Sequence, residues 1–405
     1  MSDSTLVTRA RIQNYKSIKA CDVSLGPLSF LVGPNGAGKS NFLDALRFVA
    51  DSLDNSVELA LRERGGVNEV RRRSKGHPTH FGIRLEFVLA SGARGHYAFR
   101  VGAKSKGGFE ISDEECEVTE PEVLAQPRFF RVQGGAVDTN AGATLPTSAD
   151  RLYLVVASSL PAFRPLFDAL SRMRFYNLNP GQIRELQPPD AGNLLARDGW
   201  NLSSVLGEMA AQRPETKMRV EEYLAKVVSG VAGVDKRSVG PRETLEFRQQ
   251  VAGSADPWRF AASNMSDGTL RALGLLVAIF QRRDGLYPPV SLVGIEEPEV
   301  ALHPAAAGVL LDALREASGR VQVLVTSHSP DLLDNPAIPT EALHAVSSDA
   351  GVTTIGALDE VGRSALTDRL FTPGELLRLD QLVPDETSRT TAQSDQMRLF
   401  DTAPW

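Results

Sequence analysis

From residue 28 to residue 53 the chain reads LSFLVGPNGAGKSNFLDALRFVADSL, a short apolar strand, a glycine-rich loop and an amphipathic helix. No other stretch restricts the fold as much. GPNGAGKS, Gly33 to Ser40, satisfies the pattern G-x-x-x-x-G-K-[ST] in the strand–loop–helix setting that gives the pattern meaning. The glycines let successive amides curl around one anion, and the helix start adds partial positive charge. Phosphate fits such a cradle. Gly33, Pro34, Asn35, Gly36, Ala37, Gly38 and Asn41 would shape it, with Lys39 reaching the terminal phosphates of ATP and Ser40 holding Mg²⁺. In the helix, Phe42, Leu43, Leu46, Val49 and Leu53 fall on one face.

The rest of the chain supplies the sheet such a loop needs. VSLVGIEE, a helix over 304–317 and VQVLVTSH alternate strand with helix, which implies a parallel, doubly wound sheet. The expected architecture is α/β, a P-loop NTPase with a doubly wound, mostly parallel sheet, an antiparallel β subdomain and a helical insertion. Its divisions are 1–75 for the first half of the ATPase lobe and 76–150 for an antiparallel meander with an irregular connection. Then come 151–240 for the helical insertion, 241–385 for the second half, and 386–405 for a tail that is either disordered or docked through Leu399, Phe400 and Trp405.

Three further constellations carry chemistry. The strand VSLVGIEE ends in paired carboxylates at the edge where ligands bind in open α/β sheets. Glu296 is assigned to the hydrated metal and Glu297 to orienting or deprotonating water. His328 ends the next strand at the same edge, suited to donate to a γ-phosphate or to the attacking water. NMSDGTLRALG places Ser266, Asp267 and Gly268 at a helix start; Ser266 is there either as an ordinary cap or as part of a second anion site. In ABC-type ATPases such a signature helix closes over nucleotide held by another subunit, which makes dimerisation depend on ATP. His77 and His80 in HPTH lack further metal ligands in sequence, and His303 reads as packing or capping beside Pro304.

Composition excludes several classes. A net charge of −6 leaves nucleic acid only a local patch, and RRRSK, Arg71 to Lys75, is the conspicuous basic run. It reads as a solvated loop, as a contact to DNA phosphates, or as a contact in trans near ATP. Two cysteines, Cys21 and Cys116, build neither a disulfide framework nor a four-thiolate zinc site. With no leader-like or membrane-spanning apolar run, the expected location is cytoplasmic, with no membrane partner.

Taken together, IQNYKSI, GPNGAGKSN, DGWNLSSVL, MSDGTLRALGLL, IEEPEVALHP and VTSHSP resemble the AAA/ABC-type ATPase branch related to RecF, the OLD nucleases and the SMC proteins. The resemblance implies an ATP-dependent homodimer that hydrolyses ATP slowly and controls DNA or a separately encoded effector such as a nuclease, in DNA repair or phage defence. A nucleotide-gated scaffold with little turnover is the alternative, and a transporter subunit a distant third. Glu296 stands where the wider superfamily has Asp, and no Q-loop glutamine stands out. The span between Ser40 and Ser266 is too short for a coiled-coil arm, and the stretch after His328 too short for a Toprim nuclease domain.

Overall fold

The computed structural model describes residues 6–74, 78–105, 107–121, 126–142, 144, 146–281, 290–303, 306–335, 338–394 and 397–401. Three strands open the chain: β1 (Leu6–Tyr15), β2 (Ile18–Ser24) and β3 (Leu28–Val32). The next five are β4 (His80–Val88), β5 (Arg94–Ala103), β6 (Phe109–Thr119), β7 (Arg128–Gln133) and β8 (Ala136–Thr139). They join β1 and β2 in one antiparallel sheet of order β2-β1-β4-β5-β6-β7-β8.

Two expectations are corrected by this sheet. The division at residue 75/76 does not separate lobe from subdomain, because β1 pairs directly with β4 over Leu6–Gln13. Alternation in β1 shows a half-buried strand but carries no information about its partner. The connection over 121–150, expected to be irregular from its Pro, Gly and Ala, contains β7 and β8; RFFRVQ alternates, and Phe130 is fully buried.

The second sheet carries the chemistry. β9 (Arg174–Tyr176) is followed by a three-stranded antiparallel sheet, β10 (Val231–Val239), β11 (Arg242–Gln249) and β12 (Trp258–Ala261). Then come β13 (Leu292–Glu296), β14 (Gln322–Ser327), β15 (Leu343–Asp349) and β16 (Val352–Ala357). The order is β16-β15-β3-β14-β13-β9, parallel except for the β15–β16 hairpin. The expected insertion over 151–240 is therefore not purely helical: it lends β9 to this sheet.

The phosphate-loop helix, Lys39–Asp54, lies between the sheets. Phe48 packs edge-on against Tyr15 and Phe81 of the antiparallel sheet, while Leu43 lies against Gly294 of β13. The helix Asp267–Phe280 is apolar nearly all round and is buried from Thr269 onward except at Arg271, as a helix inside a core must be.

Of the two expectations for 386–405, the described part of the tail follows the docked one through Leu399 and Phe400, not the disordered one. A helix, Glu386–Gln393, is capped by Asp385, and Ser388 packs against Gly356 of β16. Beyond it Leu399 is buried against Gly82, Phe400 lies under the Arg100 guanidinium, and Asp401 pairs with Arg84. Trp405 lies outside the described residues.

Candidate nucleotide-binding edge

Five parallel strands point their C-terminal ends to one side. β3 delivers the phosphate loop, β14 delivers His328, β13 delivers Glu296 and Glu297, and β14 lies between the other two. Residues far apart in sequence meet there because the strand order reverses beside β3.

The loop itself is built tightly. Gly36 and Gly38 have φ of 77° and 106°, a region open to glycine and strained for other residues. A Cβ on Gly38 would sit 2.1 Å from Thr353 Oγ1, and one on Gly33 would sit 2.0 Å from the Val346 carbonyl. The β15–β16 hairpin therefore backs the loop. Thr353 donates its hydroxyl to the Ala37 carbonyl at 2.9 Å and contacts Ser17 Oγ at 2.6 Å, to which Asn41 donates in turn. Lys39, 5% exposed, donates to the Gly33 and Pro34 carbonyls at 2.8 and 3.0 Å. Burial pulls its pKa below the usual lysine value, and the nearby Glu297 and Glu299 pull the other way.

At the end of β13, Glu297 takes a left-handed φ of 45° and donates its amide to the Thr326 carbonyl at 3.0 Å. Such strain in a non-glycine residue persists only where the surroundings hold it. His328 Nδ1 lies 3.1 Å from Glu297 Oε1, so the two residues assigned to water and phosphate meet. Ser266 caps the helix Asp267–Phe280, accepting from the Thr269 amide at 3.2 Å. Ser266 and Asp267 are exposed, and Asp267 pairs with Arg184. Gly268 lies so close to the Ala301 carbonyl that a Cβ would approach it to 2.2 Å, which ties the helix start to the loop after Glu297.

A family model described as "AAA domain, putative AbiEii toxin, Type IV TA system" matches residues 28–133 and 183–334, which hold the phosphate loop, Ser266, Glu296, Glu297 and His328. The chain belongs to that family. It is an ABC/AAA-type ATPase of the RecF/OLD/SMC group. An OLD nuclease of Thermus scotoductus is 25% identical over 362 residues, covering 85% of this chain and 62% of that protein. RecF of Vibrio vulnificus is 49% identical over 41 residues, 10% of this chain and 11% of its own. The chain thus spans at most about three-fifths of the length of these relatives. An SMC head bound to the C-winged helix domain of ScpA superposes with a TM-score of 0.54 at 15% identity, covering 88% of this chain and 99% of that one. An SMC head with an extended coiled coil from Pyrococcus furiosus gives 0.53 at 13%, covering 90% and 99%. These two share the fold.

The ATPase edge contains residues that the sequence reading passed over. Glu299, the third acid of EEPE, accepts from Ser327 Oγ at 2.7 Å and from the His328 amide at 3.2 Å, so it fixes the backbone that carries His328. Its Oε2 is buried without a hydrogen-bond partner among the described residues. Arg197 pairs with Glu296, Nη2 to Oε1 at 3.4 Å. The spacing E-P-E was visible in the sequence; nothing local announced either contact.

The basic run is corrected in part. Arg72 is buried and donates to the Ser17 and Gly351 carbonyls, behind the phosphate loop. Arg71 donates to Asn68 and to the Pro78 carbonyl, and Arg73 pairs with Glu69. Arg72 is thereby taken out of any open patch, while Arg73 stays largely exposed beside Glu69; Lys75 and His77 lie outside the described residues. Cys21 and Cys116 are buried free thiols. Among the described residues, no helix is long and apolar enough to cross a membrane.

Proposed function

We propose that this ATPase binds ATP with Mg²⁺ at the edge formed by β3, β14 and β13 and hydrolyses it slowly. Gly33 to Asn41 wrap the phosphates, with Lys39 leaving its loop carbonyls for them. The donors on offer, the Ser40 hydroxyl and the Glu296 carboxylate, are hard oxygens of the kind Mg²⁺ prefers. Bound there, the metal would neutralise phosphate charge. Glu297 orients and deprotonates water, and His328 positions Glu297 and donates toward the γ-phosphate. The observation that carries the reading is the 3.1 Å pair of His328 with Glu297, on a strained backbone at the end of β13, beside a loop whose lysine is held without solvent.

Two copies close around two ATP molecules, with Ser266, Asp267 and Gly268 of one copy meeting the nucleotide of the other. The exposure of Ser266 and Asp267 at a helix N-terminus supports this, since that end is open to a second surface. Closure then controls a DNA transaction or a separately encoded effector. The relatives' names, an OLD nuclease and a DNA replication and repair protein, favour that class of target. The alternative, a nucleotide-gated scaffold with little turnover, is favoured by one observation: Arg197 already pairs with the carboxylate meant for the metal.

Sedimentation of Glu297→Gln with and without Mg-ATP, beside steady-state hydrolysis by the wild type, tests the reading. An ATP-dependent shift to dimer with measurable wild-type turnover supports it. A shift without wild-type turnover moves the conclusion to the scaffold, and the absence of both shift and turnover overturns ATP-dependent closure and leaves Ser266 an ordinary helix cap.

A further inference from the structure

DGWNLSSVL, residues 198–206, is a motif for which the nucleotide edge provides no direct role. Its structural role is to build a rigid loop. Asn201, 4% exposed, accepts from the Ala196 amide at 2.8 Å and donates to Asp190 and to the Leu194 carbonyl, each at 3.0 Å. Gly199 has φ of 82°, and its Cβ position is already crowded by Ile183, so the turn is made for glycine. Asp198 accepts from the Trp200 amide. Immediately before this turn, the carbonyls of Arg197 and Asp198 accept from the amides of Asn177 and Asn179 at 3.0 and 2.9 Å. The segment therefore runs beside the exit of β9, next to β13, with its main chain anchored at both residues.

What the loop presents is Arg197. Its guanidinium meets Oε1 of Glu296 at 3.4 Å, with both side chains partly open to solvent. Two cations cannot use one carboxylate oxygen equally well. Mg²⁺ requires a close, nearly octahedral shell, which a guanidinium on the same oxygen obstructs. The longer side chain at 296 also gains a reason, because an aspartate would withdraw its carboxylate by one carbon–carbon bond from the anchored arginine.

We propose that Arg197 is a positioning residue that competes with the divalent cation for Glu296, so that metal entry requires displacement of a guanidinium held in place by the 198–206 loop. This rests on the proposed nucleotide edge and deepens it by adding a regulator of metal affinity. The backbone anchors of residue 197 do not depend on its side chain, so substitution there leaves the loop intact.

The test measures Mn²⁺ binding by the loss of free-ion EPR signal, with a nonhydrolysable ATP analogue present, and separately measures analogue binding in EDTA. Arg197→Gln is expected to tighten Mn²⁺ by about two- to fivefold, the range of a partly exposed ion pair, while analogue affinity in EDTA stays unchanged. Arg197→Lys should stay nearer the wild type. In a Glu296→Asp background the Arg197→Gln effect should vanish, as a double-mutant cycle requires of a direct pair. Unchanged or weaker Mn²⁺ binding by Arg197→Gln overturns the competition, and so does a loss of analogue affinity in EDTA, which would make Arg197 a phosphate ligand. Failure of the wild type to bind the analogue at all overturns the nucleotide edge itself, a result distinct from either.

Discussion

His328 Nδ1 and Glu297 Oε1 stand 3.1 Å apart at the ends of neighbouring parallel strands. Each is held from behind. The Glu297 amide is bound to the Thr326 carbonyl, and the His328 amide to Glu299. A base oriented by a second group that is itself oriented by a third is the arrangement that proton transfer needs.

His328→Ala should therefore lower turnover by about 10²-fold, the smaller end of what one acid–base partner contributes, while ATP affinity changes little. His328→Gln, which can still donate a hydrogen bond, should recover part of the loss. Single-turnover hydrolysis beside equilibrium nucleotide binding separates the two effects. An equal loss in both would make His328 a binding residue.

The placement of the candidate residues at this edge was more legible than its supports. Gly33 to Ser40, Glu296, Glu297 and His328 could be read because each follows an apolar strand, and strands of one parallel sheet deliver their ends to one side. Thr353 backing Gly38 and Arg72 bonding to Gly351 could not, because those contacts join segments hundreds of positions apart and leave no local period. Arg197 escaped for a related reason. It precedes a motif whose own residues make the loop, and it meets Glu296 only because β9, beside which it is anchored, pairs with β13.

Ser266 can be assigned by charge. Aspartate caps helices as well as serine does, so Ser266→Asp should keep thermal stability within about 0.5 kcal/mol. It would also place a carboxylate where a partner's phosphate is proposed to lie, and should abolish the ATP-dependent dimer in a Glu297→Gln background. Ser266→Arg should likewise block closure while leaving ATP binding by the monomer intact. A Ser266→Asp protein that still dimerises would leave Ser266 as a helix cap only.

The docked tail makes a stability prediction. Arg84 donates to Glu115 and to the Leu399 carbonyl, both at 3.0 Å, and pairs with Asp401; Glu115 also meets His96 at 3.1 Å. Glu115 is 3% exposed, so Arg84→Ala leaves a buried carboxylate with too little positive charge and should cost about 3 kcal/mol. Leu399→Ala should cost about 2 kcal/mol through its lost burial. Asp401→Ala, removing a half-exposed partner, should cost under about 1 kcal/mol. Urea denaturation midpoints rank the three, and a neutral Arg84→Ala would mean that the tail and the sheet are not coupled.

Two buried groups set opposite pH dependences. Glu114 accepts from the amides of Tyr153 and Leu154 and from the Tyr97 hydroxyl, yet burial pushes its carboxyl up to about 7. Between its ordinary 4.5 and about 7 the folded state binds more protons there than the unfolded, so this contribution weakens as pH rises. His344, buried with Nε2 unpartnered among the described residues, is pulled down to about 4 by burial. Between about 4 and its ordinary 6.5 the unfolded state binds the extra proton, so stability at this site grows as pH rises. Each effect is worth about 3 kcal/mol across its window, and the two nearly cancel. Between about pH 4.5 and 6.5 these two contributions to the wild-type stability profile oppose each other. Glu114→Gln should make it climb with pH, and His344→Leu should make it fall. Chemical denaturation at several pH values reads the slopes directly, and parallel profiles for all three proteins would show that neither burial controls acid stability.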